Sequence, residues 1–279
     1  MRVGRYSGPL GRPVRAARPS GRQWESLLGR RLGPNCRYLV IDHLGSGYIA
    51  DVLRVTDEST GATYAAKFYS DTPAARAAAD HERDALIALA HARVPTFWDA
   101  FEHDGDRVNL MDVVAGPSLR ERVDTRGALD QTHAIALGIE LCEAFEHFAA
   151  LGWTYRDLHP RNIHPDTPRG AMLVDFDGVR PPDWPARPSG RIGYRAPELA
   201  RPGSATVACD VFSVAGCIYF AVVGRDPSTR PGSLAELESA ISTPSLVTTL
   251  VACRQLNPSR RPSISELRTT LVKAHAAAD

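Results

Sequence analysis

From Tyr38 onward, apolar and polar positions alternate in short runs. "YLVIDHL", "DVLRV" and "TYAAKFY" each read as a strand, separated by Gly45 and Gly47 and then by a "DESTGA" turn. This spacing predicts a three-stranded antiparallel meander. Thr72-Pro73 then offers an N-cap and a first-turn proline, and Glu82, Leu86 and Leu89 fall at i, i+4 and i+7 on one helical face. Two further strands, near "PTFWDAF" and "RVNLMDVV", complete a small sheet carrying one helix. Beyond Gly116 the period lengthens. Ile135, Ile139, Cys142, Phe145 and Phe148 form an apolar stripe that ends at Gly152, "DVFSVAGCIYFAVVG" reads as a buried helix, and "SISELRTTLVKAH" opens on a capping box of Ser263 and Glu266. No internal repeat interrupts this order.

The outline is an α+β chain in two lobes, a β-rich one over 37–113 and a helical one over 114–279, with a cleft between them. At 279 residues and 43% hydrophobic content the chain can fill such a core. Residues 1–36 differ in character. Up to Arg37 there are nine Arg against the single acid Glu25, a local +8 in a chain whose net charge is +1. "MRVGRYSGPLGRPVRAARPSGR" is rich in Gly, Pro and Arg and has no apolar period, so residues 1–36 are expected to be a flexible basic arm. An acidic partner, nucleic acid or anionic lipid would suit such an arm, with nucleic acid the least favoured. No run of eighteen apolar residues suggests a membrane span, and the arm lacks the apolar stretch of a secretory signal. Five scattered cysteines without CxxC spacing indicate neither a disulfide framework nor a zinc site. A cytoplasmic location is the expectation.

Of the 33 basic residues all but Lys67 and Lys273 are Arg. A compact ammonium reaches a crowded pair of phosphates where a planar guanidinium does not fit, which makes Lys67, between Ala65-Ala66 and Phe68, a candidate nucleotide ligand. A lysine with little water around it needs a carboxylate. Glu82, on the inner face of the next helix, is the candidate partner. Gly45-Ser46-Gly47, one hairpin earlier, lets backbone amides approach phosphate oxygens, although GxG between strands can equally be a plain turn. The densest chemistry is "YRDLHPRNI" followed by "MLVDFDGV". A hairpin turning at "PDTPRG" returns Asp175 beside Asn162, giving hard oxygen ligands suited to Mg²⁺. Asp157 is then free to orient a hydroxyl and accept its proton.

These residues resemble the signatures of eukaryotic-like (Hanks-type) protein kinases, and a bacterial form of that family is the expectation. The resemblance covers residues 38 to about 275. "GSGYIADV" resembles the glycine-rich loop, "YAAK" the strand-three lysine motif, and "MDVV" the hinge, with Met111 as gatekeeper. "YRDLHPRN" resembles the catalytic loop, "DFD" the metal-binding motif, and "APE" (Ala196, Pro197, Glu198) the end of the activation segment. Asp210 matches a buried aspartate, and Arg261 the arginine that pairs with Glu198. The resemblance implies a two-lobed kinase fold using ATP and Mg²⁺, with Mn²⁺ as an alternative. It also implies that Val52, Ala65, Met111, Asp112, Val114 and His164 line the nucleotide site, and that Tyr155, Arg156 and Phe176 support the catalytic loop.

Several positions depart from the family. Ala50 stands third in the glycine-rich loop and Tyr155 replaces a histidine. His159 occupies the place of a lysine that neutralises the transferring phosphate in Ser/Thr kinases, while Arg161 sits where tyrosine kinases carry an arginine. Asp177 replaces a glycine and is either an exposed loop aspartate or a further carboxylate near the metal. The segment from Asp175 to Glu198 is proline-rich, and Ser189 is its candidate phosphosite. With proline holding that segment, activity is expected without a phosphate there. The leading expectation is a protein kinase acting on Ser or Thr, with Tyr open, in a protein or peptide. The alternatives are a peptide or small-molecule phosphotransferase of natural-product maturation and a non-catalytic pseudokinase scaffold.

Overall fold

The protein is described from a computed structural model over residues 24–47, 49–181, 190–200, 205–228 and 234–277. The first lobe is built on one antiparallel sheet of six strands. In chain order these are β1 (Arg31–Leu32), β2 (Tyr38–Ser46), β3 (Ala50–Asp57), β4 (Thr63–Tyr69), β5 (Phe97–His103) and β6 (Asp106–Asp112). Their spatial order is β1-β2-β3-β4-β6-β5, so β4 lies in the interior with β3 and β6 as neighbours. Its alternating side chains divide two environments. Ala66 and Phe68 join the outer core with Leu53, Val55, Val108 and Leu110. Ala65, Lys67 and Tyr69 face the other way, toward helix α1 (Pro73–Ala88) and the second lobe.

Helix α1 starts where the chain predicts. Thr72 caps it by accepting from the Ala75 N–H at 3.2 Å, and Pro73 occupies its first turn. Ala75 and Ala79 pack on Tyr69 and Ala50, and their small size lets the helix sit close to the sheet. Ala85, Leu86 and the following Leu89 join the cluster that continues into the second lobe. One core therefore spans both lobes on the cleft side.

The second lobe is helical apart from one hairpin. Helix α2 (Leu119–Arg126) and α3 (Gln131–Ala150) precede strands β7 (Ile163–Thr167) and β8 (Gly170–Leu173). Helices α4 (Ala208–Val223), α5 (Leu234–Ala240), α6 (Pro244–Cys253) and α7 (Ile264–Ala276) follow. Helix α4 is buried nearly all round, as a helix apolar on every face must be, and α7 begins with the Ser263/Glu266 capping box. Among the described residues no helix is long and apolar enough to cross a membrane.

The expected arm over 1–36 needs correction at its C-terminal end. Residues 24–36 are folded onto the sheet: Trp24 stacks on His43 at 4.0 Å, Leu27 and Leu32 are buried, and β1 pairs with β2. Two short helical turns (Trp24–Leu27 and Pro34–Cys36) and a two-residue strand are too short to carry a hydrophobic period, which is why they read as arm. Residues 1–23 lie outside the described residues. Because Leu32 is 1% exposed inside the outer core, Leu32→Ala is expected to cost about 2–5 kcal/mol. Chemical denaturation checks this, and an unchanged midpoint would return the segment to the arm.

Candidate active site

Lys67 sits on β4 with its side chain turned into the interlobe face. Its ammonium donates to Glu82 Oε1 at 2.8 Å and to Asp175 Oδ1 at 2.8 Å, and Asp177 Oδ2 lies 3.8 Å away. Burial alone would push the Lys67 pKa down, but the carboxylates of Asp175 and Glu82 outweigh it and hold the lysine well above its ordinary value. The same ammonium pulls Asp175 below the ordinary carboxylate range. Glu82 is itself fully engaged. Its Oε2 accepts from the Tyr69 hydroxyl, and its Oε1 also accepts from the Phe176 N–H at 3.1 Å. Strand β4, helix α1 and the segment after β8 thus meet at one buried carboxylate.

The segments carrying Asn162 and Asp175 are brought together by the β7–β8 hairpin, in which Ile163 pairs with Leu173 and the Val174 N–H donates to the Asn162 carbonyl at 3.0 Å. Asn162 Nδ2 donates to the Asp157 main-chain carbonyl at 3.1 Å, leaving its side-chain oxygen for another partner. Asp175 has φ +67°, in the left-handed region that aspartate tolerates. Asp177, by contrast, takes no positive φ, so losing a glycine there does not strain the turn. Its side chain is only 26% exposed, and burial with Asp175 nearby raises its pKa. It therefore sits in the charge cluster rather than out on the loop.

Asp157 and His159 lie within electrostatic reach of Asp175. Asp157 Oδ1 is buried without a hydrogen bond, and burial raises its pKa to about 6, with Asp175 adding to the effect. His159 Nε2 is 3.8 Å from that oxygen, while His159 Nδ1 accepts from the Arg161 N–H at 3.2 Å and caps the turn at Pro160–Asn162. Burial, with Arg191 nearby, lowers the His159 pKa to about 4. His159 is accordingly neutral at pH 7 and brings no positive charge. Arg161 is exposed.

The catalytic-loop backbone is held from below. Asp210, buried in the first turn of α4, accepts from the Tyr155 N–H at 2.8 Å and the Arg156 N–H at 2.9 Å. Arg156 has φ +68° and is buried, with Nε donating to Thr154 Oγ1 at 2.7 Å. Tyr155 meets Phe176 edge to face at 5.3 Å and donates its hydroxyl to the Val174 carbonyl, so the aromatic ring at this position still packs beneath Asp175. Arg261 forks onto Glu198 at 2.5 and 2.8 Å. Arg254 was not foreseen: buried on Phe212, it donates to the Gly193 and Ser228 carbonyls at 2.9 and 3.1 Å. Gly216 makes room for it, since a Cβ there would stand 2.7 Å from its guanidinium. A glycine inside a fully buried helix was the one available hint.

The wall of the cleft formed by β3, β4 and β6 is apolar. Ala65 pairs with Met111 across β4 and β6, Val52 pairs with Lys67 across β3 and β4, and all of these except Lys67 pack with the shared core. Gly45 has open space where a Cβ would stand, and the Ser46 hydroxyl contacts His43 Nε2 at 2.9 Å. The Gly47 N–H donates to the Ala50 carbonyl at 2.7 Å. Asp112 differs from the rest. Its carboxylate accepts from the Thr96 N–H, Trp98 Nε1 and Arg169 Nη1 at 2.8–2.9 Å, so its side chain serves the hinge. Val114 follows it, partly buried, and His164 hydrogen-bonds the Gly116 carbonyl at 2.9 Å. Ser189 and Pro182, Pro185 and Pro188 lie outside the described residues.

A two-lobed chain with a lysine–glutamate pair across strand and helix, and an aspartate–asparagine loop opposite, defines the kinase class of fold. The protein kinase domain profile matches residues 38–278, and the chain belongs to that family. It is 32% identical over 60% of its length to the probable serine/threonine-protein kinase PkwA of Thermomonospora curvata, covering 24% of that protein. It is 28% identical over 83% of its length to the serine/threonine-protein kinase PkaA of Streptomyces coelicolor, covering 48% of it. With the serine/threonine-protein kinase PknD of Mycobacterium tuberculosis the identity is also 28%, over 76% of this chain and 33% of the relative. The chain thus spans about half or less of each of these relatives. A solved kinase domain superposes with a TM-score of 0.74 over 89% of this chain and 97% of its own, at 16% identity, which is a likeness of fold.

Removing Glu82 strands a buried ammonium beside one remaining strong partner, so Glu82→Ala is expected to lose on the order of 3 kcal/mol. Glu82→Gln keeps shape and an acceptor oxygen and should lose less. Thermal melts of both variants check this, and an unshifted Glu82→Ala melt would contradict the pairing.

Proposed function

We propose that this protein transfers the γ-phosphoryl group of Mg-ATP to a hydroxyl, Ser or Thr before Tyr, on a protein or peptide in the cytosol. The observation that carries this reading is the Lys67 ammonium held 2.8 Å from both Glu82 and Asp175. Strand, helix and metal-side loop are thereby in register at once. The oxygen set fits a hard divalent ion: the Asp175 carboxylate, the uncommitted Asn162 oxygen and the neighbouring Asp177. Among the described residues no group of three or more His, Cys, Asp or Glu could hold a metal alone. This suits Mg²⁺, which commonly takes one or two carboxylates together with substrate phosphates. When bound, Mg-ATP supplies the phosphoryl group and partial neutralisation of its charge.

The protein's own residues do the positioning. Lys67 holds phosphate oxygens from the N-terminal lobe, and the apolar wall of Val52, Ala65 and Met111 takes the base. Asp157 orients the acceptor hydroxyl and takes its proton as the acceptor oxygen bonds the γ-phosphorus and the β–γ bridging bond breaks. Its buried, unbonded Oδ1 and its pKa of about 6 favour this role, since it is ionised at pH 7 yet basic enough to accept a proton.

Transfer from radiolabelled ATP by the wild type and by Asp157→Asn tests the assignment. The variant is expected to keep nucleotide affinity and lose roughly 10²–10⁴-fold in rate. Chelation should stop transfer, and Mg²⁺ or Mn²⁺ should restore it. Equal incorporation by both proteins would remove Asp157 from the mechanism, and none by either across metals and acceptors would favour a non-catalytic scaffold.

A further inference from the structure

A cleft of about 280 Å³ is lined in part by His159 and Arg161, from the loop that carries Asp157. Its walls come from α2 (Arg120), the catalytic loop (His159, Arg161), the segment before "APE" (Arg191, Ile192, Tyr194) and the turn after α4 (Asp226). The cleft adjoins the proton-accepting carboxylate through His159, which lines it and lies 3.8 Å from Asp157 Oδ1. Any acceptor hydroxyl presented to Asp157 brings its neighbouring residues past these walls.

The charges in the cleft do not cancel. Arg120 is ion-paired to Asp226, which also accepts from the Tyr194 hydroxyl at 2.6 Å, so that carboxylate is consumed. His159 is neutral for the reason given above. Glu121 Oε2 accepts from the Ser118 N–H and hydroxyl at 2.9 and 2.8 Å, and the carboxylate feels the Arg161 charge without forming a salt bridge to it. Arg161 and Arg191 are left: both are exposed and line the cleft, and among the described residues neither makes a side-chain hydrogen bond or salt bridge, with Glu121 and Asp157 respectively acting on them only through space. Ile192, 76% exposed, adds an apolar side chain to the lining.

We propose that this cleft is an acceptor-recognition site that takes an anionic side chain, glutamate, aspartate or a phosphorylated residue, close in sequence to the hydroxyl being modified. The proposal rests on the kinase reading for the hydroxyl but not for the binding. Two guanidiniums with free N–H forks match a carboxylate or phosphate bidentately and repel a basic neighbour. Selection for acidic acceptors and against basic ones follows from the same pair of residues.

The test uses peptides sharing one acceptor hydroxyl and differing only in flanking residues, Glu, phosphoserine, Ala or Lys. With the wild type, kcat/KM should be about tenfold or more higher for the Glu and phosphoserine peptides than for the Lys peptide, the size expected of one charge-assisted contact. In Arg161→Glu/Arg191→Glu that ratio should invert, a readout that a general loss of activity does not mimic. Fluorescence anisotropy with the same peptides carrying Ala in place of the hydroxyl residue reads binding without transfer. Tight, salt-sensitive binding of the acidic peptide without any transfer would sink the kinase reading and leave this site standing. Transfer or binding indifferent to flanking charge, or a ratio unchanged by the double reversal, would overturn the site. A phosphoserine peptide favoured over Glu by a further large factor would assign it to phosphorylated acceptors in particular.

Discussion

Everything on the cleft side depends on keeping one ammonium, that of Lys67, charged in a place with almost no water. An unpaired lysine there would lose its proton, because burial penalises the charged form. Glu82 and Asp175 reverse that, and the requirement fixes geometry as well as charge. Glu82 can reach Lys67 only if α1 packs close to β4, which the small Ala75 and Ala79 allow. Asp175 can reach it only if the β7–β8 hairpin returns the chain beside Asn162. A buried ion pair gives little net stability, since desolvation consumes most of the attraction, but a broken one is expensive. Its effect here is selective: arrangements of strand, helix and loop that separate the three groups are penalised.

The second lobe answers a different constraint. A loop that presents Asp157 toward an open cleft cannot be held by regular secondary structure, so its backbone N–H groups need partners from elsewhere. Asp210 provides two of them from inside a mostly apolar helix, and Arg254 and Arg261 tie the following segment to the same helix through main-chain carbonyls and Glu198. The polar groups buried in this lobe thus hold irregular backbone in place rather than supply core. The loop carrying Asp157 is thus held from the α4 side.

Much of this was legible in the chain because the responsible features are periodic or chemically singular. The strands around "TYAAKFY", the Thr72 cap, the Glu82 face of α1 and the Ser263 capping box all follow local rules. Lys67 stood out because the chain otherwise uses arginine almost throughout. What could not be read lacks a period or depends on distant partners. Residues 24–36 fold against the sheet through a few isolated apolar side chains. The bonds of the Asp112 carboxylate to Thr96, Trp98 and Arg169 could not be read either, the last partner being 57 residues away in sequence. The conformation of Asp177 was likewise invisible, because the left-handed residue in that turn is Asp175 two positions earlier.

The exchange of a lysine for His159 takes its meaning from the same distinction. Judged by position, it deprives the acceptor side of the site of a positive charge. The environment agrees, because a buried histidine beside Arg191 stays neutral and acts as the cap of the turn that carries Arg161. Yet the charge is not lost from the region. Arg161 is displayed by the turn His159 caps, and Arg191 arrives from the segment that Arg254 anchors at Gly193. Both are planar, permanently charged groups on the rim rather than a flexible ammonium at the centre. A central lysine would act on whichever phosphate is in transit, whatever the acceptor. In the acceptor site proposed above, two rim arginines would act on what comes attached to the hydroxyl, so positive charge would serve recognition of the acceptor rather than the transferring group.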